Sequence, residues 1–365
     1  MKTIPINKLI EIARLAPSGD NLQPWHFNAD ENNKLSLAYR PSPIVEPEYY
    51  VSGIYSSMGI MIEYVTLAAG HLGFATKVKL NPNFHPEHNR RIADFEFSFN
   101  ENASSKKEID SLVEAMTTRH TTREIFSNQT LPNGIIDDLK RSAGEGSLYW
   151  FDDKKSRSLV IKALSLSDNF FWRYNKTRTA LVESIYSKKA EPDRKYGMPT
   201  STLGAGPLEP VLKSYFSLAE KFPLLWNSVR LKATRDTAKG IHNSAGVGFI
   251  TVPSTGPKKF VDSNWTGHDH IEGGKQVARL WLTATKHGLL FQPLYHLVAM
   301  SNHQGNKNLN KNFDKANPEV LSILRNLIQL DSEETLVFAF RVGYPTIRTS
   351  SQSDSPRYSV QELLD

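Results

Sequence analysis

The sequence predicts an α+β fold made of two tandem units, each a central helix against a mixed, mainly antiparallel sheet. Three observations carry this. GIMIEYVTLAAGHLG, from Gly59 to Gly73, and GKQVARLWLTATKHG, from Gly274 to Gly288, each set two glycines 14 residues apart, with Leu67 matching Leu282 and Ala69 matching Ala284. Both stretches are apolar on nearly all sides, as a helix at the centre of a domain must be. Gly73 and Gly288 stand where a helix end favours a left-handed residue, and runs of period two lie around each segment. Duplication explains the likeness; a chance similarity between two buried helices is the alternative.

Taken in order, Ile6 to Ala16 has helical periodicity and stops at Pro17, whose ring cannot continue a helix. Lys34 to Arg40 alternates through Leu35, Leu37 and Tyr39. After the first central helix, Phe74 to Leu80 and Ala93 to Phe99 read as strands. These complete a first unit over residues 1–103. The second unit, 104–365, opens with helices at Glu108 to Met116 and Ile135 to Ser142 and a strand at Leu148 to Phe151. It resumes with a strand at Gly246 to Val252, the second central helix, and a strand at Leu336 to Val342. Residues 165–240 have no counterpart in the first unit. This insertion opens on Phe170, Phe171, Trp172 and Tyr174, and its middle, PDRKYGMPTSTLGAGPLEP, has seven Gly or Pro in nineteen residues. It reads either as a lid or as a surface decoration.

A chain of 365 residues with 39% hydrophobic content can bury a sizeable core. It has no cysteine, which excludes disulfide scaffolds and thiol chemistry, so redox activity would require a bound cofactor. Lys8, Glu11 and Arg14 interrupt any apolar signal core, and no run reaches the roughly 18–20 apolar residues of a membrane span. A cytoplasmic protein without a membrane partner is expected. Forty-four Lys plus Arg against 38 Asp plus Glu give a net charge of +6. That charge is scattered in short groups such as Lys188-Lys189 and Lys258-Lys259, whereas a nucleic-acid module gathers it on one face. The expected partner is a small molecule, and a basic surface suits anionic cofactors.

Two short stretches concentrate chemistry. In APSGDNLQPWHF, residues 16 to 27, Ser18, Asn21 and Gln23 offer hydroxyl and amide groups close together after Pro17, matching the alternating donors and acceptors of a flavin pyrimidine edge. An Asx-turn before a buried Trp25 would use the same residues. In TTRHTTREIF, Arg119, Thr121 and Arg123 alternate, so extended backbone would aim two guanidinium forks and a hydroxyl to one side, a seat for a phosphate. A solvated basic loop is the plainer reading. Arg357, in SDSPRYSV, could add a further cation. His85-Pro86-Glu87-His88 and His268-Asp269-His270 are too closely spaced to announce a metal site, and none is expected. Neither Gly204-Ala205-Gly206 nor Gly246-Val247-Gly248 completes a dinucleotide fingerprint.

Pro17-Ser18-Gly19-Asp20-Asn21-Leu22-Gln23-Pro24-Trp25-His26-Phe27 resembles the P-S-x-x-N-x-Q-P-W-[HR]-F loop of the nitroreductase family. Arg119-His120-Thr121-Thr122-Arg123 resembles its R-R-S-x-R phosphate motif. Gly274 to Leu289 is similar to the family's central helix, and FRVGYP at 340–345 to its last strand. The resemblance implies a nitroreductase-like fold with FMN held between two α+β units, NAD(P)H as the usual donor, and nitro compounds or quinones as acceptors. Carried over by position, Arg119, Thr121, Arg123 and Arg357 would surround the phosphate and ribityl chain, while Pro17, Ser18, Asn21 and Gln23 would reach the isoalloxazine. No catalytic side chain is implied.

This chain departs from the family in order, with the loop first and the arginine motif at 119. It therefore resembles the minority with tandem units, a pseudo-dimer within one chain, some of which store flavin. The stretch Gly288-Leu289-Leu290-Phe291-Gln292-Pro293 also lacks the G-L-G that approaches flavin N5 in many active members. A flavin-sequestering protein, its FMN covered by the insertion, is thus the alternative to an NAD(P)H-dependent oxidoreductase. Further pairing of whole chains is left open.

Overall fold

The computed structural model describes residues 2–30, 34–44, 47–85, 89–100, 106–144, 147–173, 175–203, 209–255, 267–302, 311–328, 334–346 and 355–364. Tyr174, Glu87, His88, the Lys258-Lys259 pair and Gly204-Ala205-Gly206 lie outside them.

In chain order the elements are α1 (Ile6–Ala13), β1 (Trp25–Ala29), β2 (Leu35–Tyr39), α2 (Pro47–His71), β3 (Phe74–Leu80), β4 (Arg91–Phe99), α3 (Lys106–Thr118), α4 (Asn133–Ala143), β5 (Leu148–Phe151) and α5 (Lys154–Phe171). There follow α6 (Asn175–Ser184), β6 (Ile185–Tyr186), β7 (Met198–Pro199), α7 (Glu209–Lys221), α8 (Pro223–His242), β8 (Gly246–Pro253), α9 (His268–Lys286), β9 (Leu290–Pro293), α10 (Tyr295–Asn302), α11 (Lys311–Ile328), β10 (Glu334–Gly343) and α12 (Val360–Leu363). The protein is α+β. One four-stranded sheet has the order β1-β2-β4-β3 and the other β5-β8-β10-β9, and the pairings within both are antiparallel.

The long helices α2 and α9 pack directly on each other. They meet at Gly59 and Gly274, the glycines that open the two repeated segments. A Cβ on Gly59 would lie 1.9 Å from the Ile271 carbonyl oxygen, and one on Gly274 would lie 2.2 Å from that of Ser56. Only hydrogen fits between two backbones this close. Gly73 and Gly288 follow the helix ends with φ of +87° and +71°, as their positions in the sequence predict. A single buried cluster runs from Ile4 to Leu363 and takes in both central helices. The inner strand β8 is buried nearly throughout because Gly246 admits the Trp150 ring and Gly248 the Phe340 ring.

Two differences from the sequence reading have simple causes. Residues 25–29 form a strand, β1, because Trp25 and Phe27 alternate inward beside β2, in register Trp25↔Tyr39. The helix that carries Phe170 and Phe171 starts at Lys154, where the Asp153 side chain caps it by accepting from the Ser156 N–H at 2.9 Å. The position expected to open the insertion, 165, is therefore mid-helix, and its far limit, 240, lies inside α8.

The last ten described residues return to the first sheet. α12 is fixed by a capping box between Ser359 and Glu362, Leu363 is fully buried, and Leu364 bridges to Phe27 on β1. Arg14 donates to the Tyr358 carbonyl at 3.1 Å and Arg40 to that of Glu362 at 2.6 Å. This anchoring carries Arg357 to the loop at 17–24.

Candidate binding cavity

A cavity of about 1700 Å³ opens between the loop at 17–24, one face of α2, residues 119–125, the segment from Gln292 to His296, the insertion, and Arg357. It exceeds the roughly 300–1,000 Å³ of most small-molecule pockets, so a cofactor and a second ligand can share it.

Its polar end is built on two arginines. Arg119 prolongs α3, its N–H bonding the Ala115 carbonyl at 2.9 Å. The residue is 6% exposed and its guanidinium lies 4.7 Å from the centre of the Trp281 ring. Arg357 donates through Nη1 to Asn21 Oδ1 and, at 3.1 Å, to the Pro356 carbonyl. The Nε of each arginine is buried and without a partner. Burial, and then the positive charge of Arg119, push the Arg357 guanidinium down to about 9, which leaves it charged at neutral pH. Tyr64 is within reach of both charges, although burial drives its phenol up overall. Among the described residues no carboxylate forms an ion pair with Arg119 or Arg357. A buried and a half-buried guanidinium that repel each other without a counter-charge call for an anion, and a phosphate offers the acceptors their forks match.

Seven of the eight site residues expected from the sequence line the cavity: Pro17, Ser18, Asn21, Arg119, Thr121, Arg123 and Arg357. The alternation expected at 119–123 is not clean, because His120 and Thr122 also reach it and Thr121 bridges to Phe291 in β9. Arg123 donates to the Thr202 carbonyl at 3.1 Å and sits opposite Asp20, whose negative charge favours its charged form. Gln23 is fully buried behind the wall. Its amide donates to the Lys195 carbonyl at 2.7 Å and accepts from the Tyr358 N–H at 3.1 Å. Asn21 donates to the carbonyls of Gly197 at 3.2 Å and Pro356 at 3.0 Å. Both amides therefore tie the loop to the insertion and to the C-terminal segment.

The loop is also strained. Asp20, Asn21 and Gln23 have φ of 47°, 54° and 49°, a left-handed conformation that side chains other than glycine adopt at a cost. Such outliers persist where surrounding contacts over-determine them, often at binding sites. Burial also raises the Asp20 carboxyl above its ordinary range, against the pull of Arg123 and His296. The folded chain thus holds this proton more tightly than the unfolded chain. Asp20 therefore costs stability above its folded value, and the cost disappears as pH falls through that value and below 3.8. Asp20→Asn, which keeps the left-handed preference, is expected to melt higher than wild type at about pH 7 and to lose that gain at about pH 3.5. Thermal melts at the two pH values check this; an equal gain at both would remove ionisation as the cause.

Several residues in or behind the cavity wall had no signal in the sequence. Trp281, which lines the cavity, and Tyr64, fully buried and within reach of both arginines, sit within apolar helical stretches. His296 is a lone histidine in α10, and Asp168 is a buried acid in α5. None belongs to a local motif.

No protein-family model matches the chain, and no curated protein matches it. Among solved structures, similar chains include an FMN-dependent nitroreductase NfnB from Mycobacterium smegmatis in complex with NADPH, at 13% identity and TM-score 0.33, with 68% of this chain and 98% of that one covered. An FMN and NADPH-dependent nitroreductase NfnB from sphigopyxis sp. strain HMH shares 11% identity at TM-score 0.37, over 70% of this chain and 97% of the other. An iodotyrosine deiodinase bound to FMN and 3-iodo-L-tyrosine shares 14% at TM-score 0.34, over 68% and 95%. Likeness at this level assigns no function. Among the described residues no helix is long and apolar enough to cross a membrane, and no group of three metal-ligating side chains gathers.

Proposed function

We propose that the chain binds FMN in this cavity and is an NAD(P)H-dependent oxidoreductase of nitroreductase-like type, passing hydride to a nitro compound, quinone or similar small acceptor. The observation that carries the reading is the pair of guanidiniums at one end of a cavity large enough for cofactor and substrate: buried Arg119 and half-buried Arg357, neither paired with a carboxylate among the described residues. When bound, the flavin would supply the hydride chemistry. The chain's own work is to hold it. Arg119 and Arg357 grip the phosphate, with Thr121 beside them, and Asn21 fixes the Arg357 fork through Oδ1. Pro17, Ser18 and Asn21 border the ring, and Gln23 locks the C-terminal segment that delivers Arg357.

Arg119 comes from the second of the two expected units, residues 104–365, and the loop that meets Arg357 comes from the first. On the pseudo-dimer reading the chain therefore assembles one complete site and takes up one FMN. A second reading, flavin storage, has its own observation. The insertion is sewn to the flavin loop by the Lys195 and Gly197 carbonyls, which accept from Gln23 and Asn21, and to the arginine motif by the Thr202 carbonyl, which accepts from Arg123. Adding NADPH anaerobically to the FMN-loaded protein separates the two. The oxidoreductase bleaches within seconds; a yellow colour that persists for hours overturns turnover in favour of storage.

A further inference from the structure

On the side of the cavity formed by the insertion and α10, an imidazole is paired with a buried carboxylate. His296 Nδ1 and Asp168 Oδ1 are 2.6 Å apart, and the Asp168 side chain is 6% exposed against 32% for His296. The imidazole stacks on Phe171, centroids 4.8 Å apart and planes 23° from parallel. Asp168, Phe171 and His296 all line the cavity. A carboxylate accepting from Nδ1–H fixes the tautomer and the ring plane, which turns the other nitrogen, Nε2, into the group that exchanges protons. Among the described residues Nε2 bonds to no protein group. Asp20 in the flavin loop lies close enough to feel the His296 charge, so the imidazole belongs to the same field as the loop. Its neighbour Tyr295 is held away from this role, its hydroxyl accepting from the Gly53 N–H at 3.1 Å and sharing a hydrogen bond with Ser52 at 2.9 Å.

We propose that His296 is the proton donor to the electron acceptor, with Asp168 as its positioning residue, and that the acceptor is of the class whose oxygen must be protonated on reduction, such as a quinone. This rests on the FMN reading above. When bound and reduced, the flavin would supply the acceptor with a hydride, two electrons and one proton. His296 acts from its imidazolium form, protonated at both nitrogens: the Nε2–H bond breaks as an O–H bond forms on the acceptor oxygen, the ring is left neutral with Nδ1–H on Asp168, and Nε2 takes up a new proton from solvent. With the anionic dihydroflavin as reductant, hydride and the imidazolium proton together would convert the quinone to hydroquinone and leave oxidised flavin and neutral imidazole, so charge and atoms balance. A positioned general acid contributes on the order of a hundredfold or more.

The test uses the whole chain loaded with FMN, reduced by dithionite and mixed anaerobically with benzoquinone. His296→Ala is expected to slow flavin reoxidation by about a hundredfold, and added imidazole is expected to restore much of the rate. His296→Gln, which preserves bulk and polarity, is expected to be slow as well. Independently of turnover, the ring-nitrogen NMR shifts of the neutral His296 ring should show the Nδ1–H tautomer in the wild type and a mixture of tautomers in Asp168→Asn. Wild-type reoxidation in both His296 variants, a deficit that imidazole does not relieve, or unchanged ring shifts in Asp168→Asn would overturn the proposal while leaving FMN binding intact. A chain that takes up no FMN overturns the reading on which the proposal stands, and the proposal with it.

Discussion

Replacing Arg357 by Ala is expected to weaken FMN binding by roughly ten- to a hundredfold, because a charge-assisted hydrogen bond is worth about 1.5–3 kcal/mol. Arg119→Ala is expected to cost a similar factor. Arg119→Lys should fall between, since an ammonium keeps the charge but loses the planar fork and its overlap with Trp281. The identity of the lost contact can be read from a second ligand. Riboflavin carries the same ring and ribityl chain without the phosphate, so its affinity should change little in either alanine variant. Fluorescence titration of both ligands against wild type and variants gives four constants, and the coupling between phosphate and arginine follows as in a double-mutant cycle. Equal losses for FMN and riboflavin would mean that the arginines shape the cavity and do not hold the phosphate.

The second large effect concerns the helix crossing. In an exposed helix Gly→Ala is favourable by about 0.5–1 kcal/mol. At Gly59 the new methyl would meet the Ile271 carbonyl oxygen at 1.9 Å and the Gly274 Cα at 2.9 Å. The obstructing atoms are backbone, so relief requires α2 and α9 to move apart and to lose burial along the shared core. Overpacking of this kind costs about 1–3 kcal/mol and sometimes more, which outweighs the propensity gain. Gly59→Ala and Gly274→Ala are therefore expected to be destabilised, and each should bind FMN more weakly because Gly53, Ser56, Ser57 and Ile60 of α2 line the cavity. Gly134 in α4 has open space around it and provides the control, where Ala should stabilise by about 0.5–1 kcal/mol. Chemical denaturation of the three variants measures the signs. A stabilised Gly59→Ala would show that the two helices do not cross as described.

What the sequence revealed and what it hid divide along the range of the interactions. The central helices, their glycine ends and the strands at Phe74–Leu80 and Leu148–Phe151 were legible because periodicity and caps are local. The meeting of Gly59 with Gly274 was half legible, as two equivalent glycines, but their contact is a fact of packing. The strand at Trp25–Ala29 went unread because Pro24 and the polar residues before it look like a loop, and its register comes from β2. Gln23 was expected to face the ring, and nothing in its neighbourhood shows that its amide would be taken by Lys195 and Tyr358, residues far along the chain. Asp168 and His296 are 128 residues apart, and each alone resembles an ordinary helical residue. Arg357 was visible only as a cation after the last strand; its approach to Asn21 depends on α12 and the capping box that returns the chain to the first sheet.

The central claim is that Arg119 and Arg357 make this cavity a phosphate-anchored flavin site. Titrating the flavin-free wild-type chain with FMN and with riboflavin tests it most directly. If Arg119 and Arg357 each contribute about 1.5–3 kcal/mol to holding the phosphate, FMN should bind at one per chain and at least about a hundredfold more tightly than riboflavin. Equal affinities for the two, or no binding of either, would contradict it.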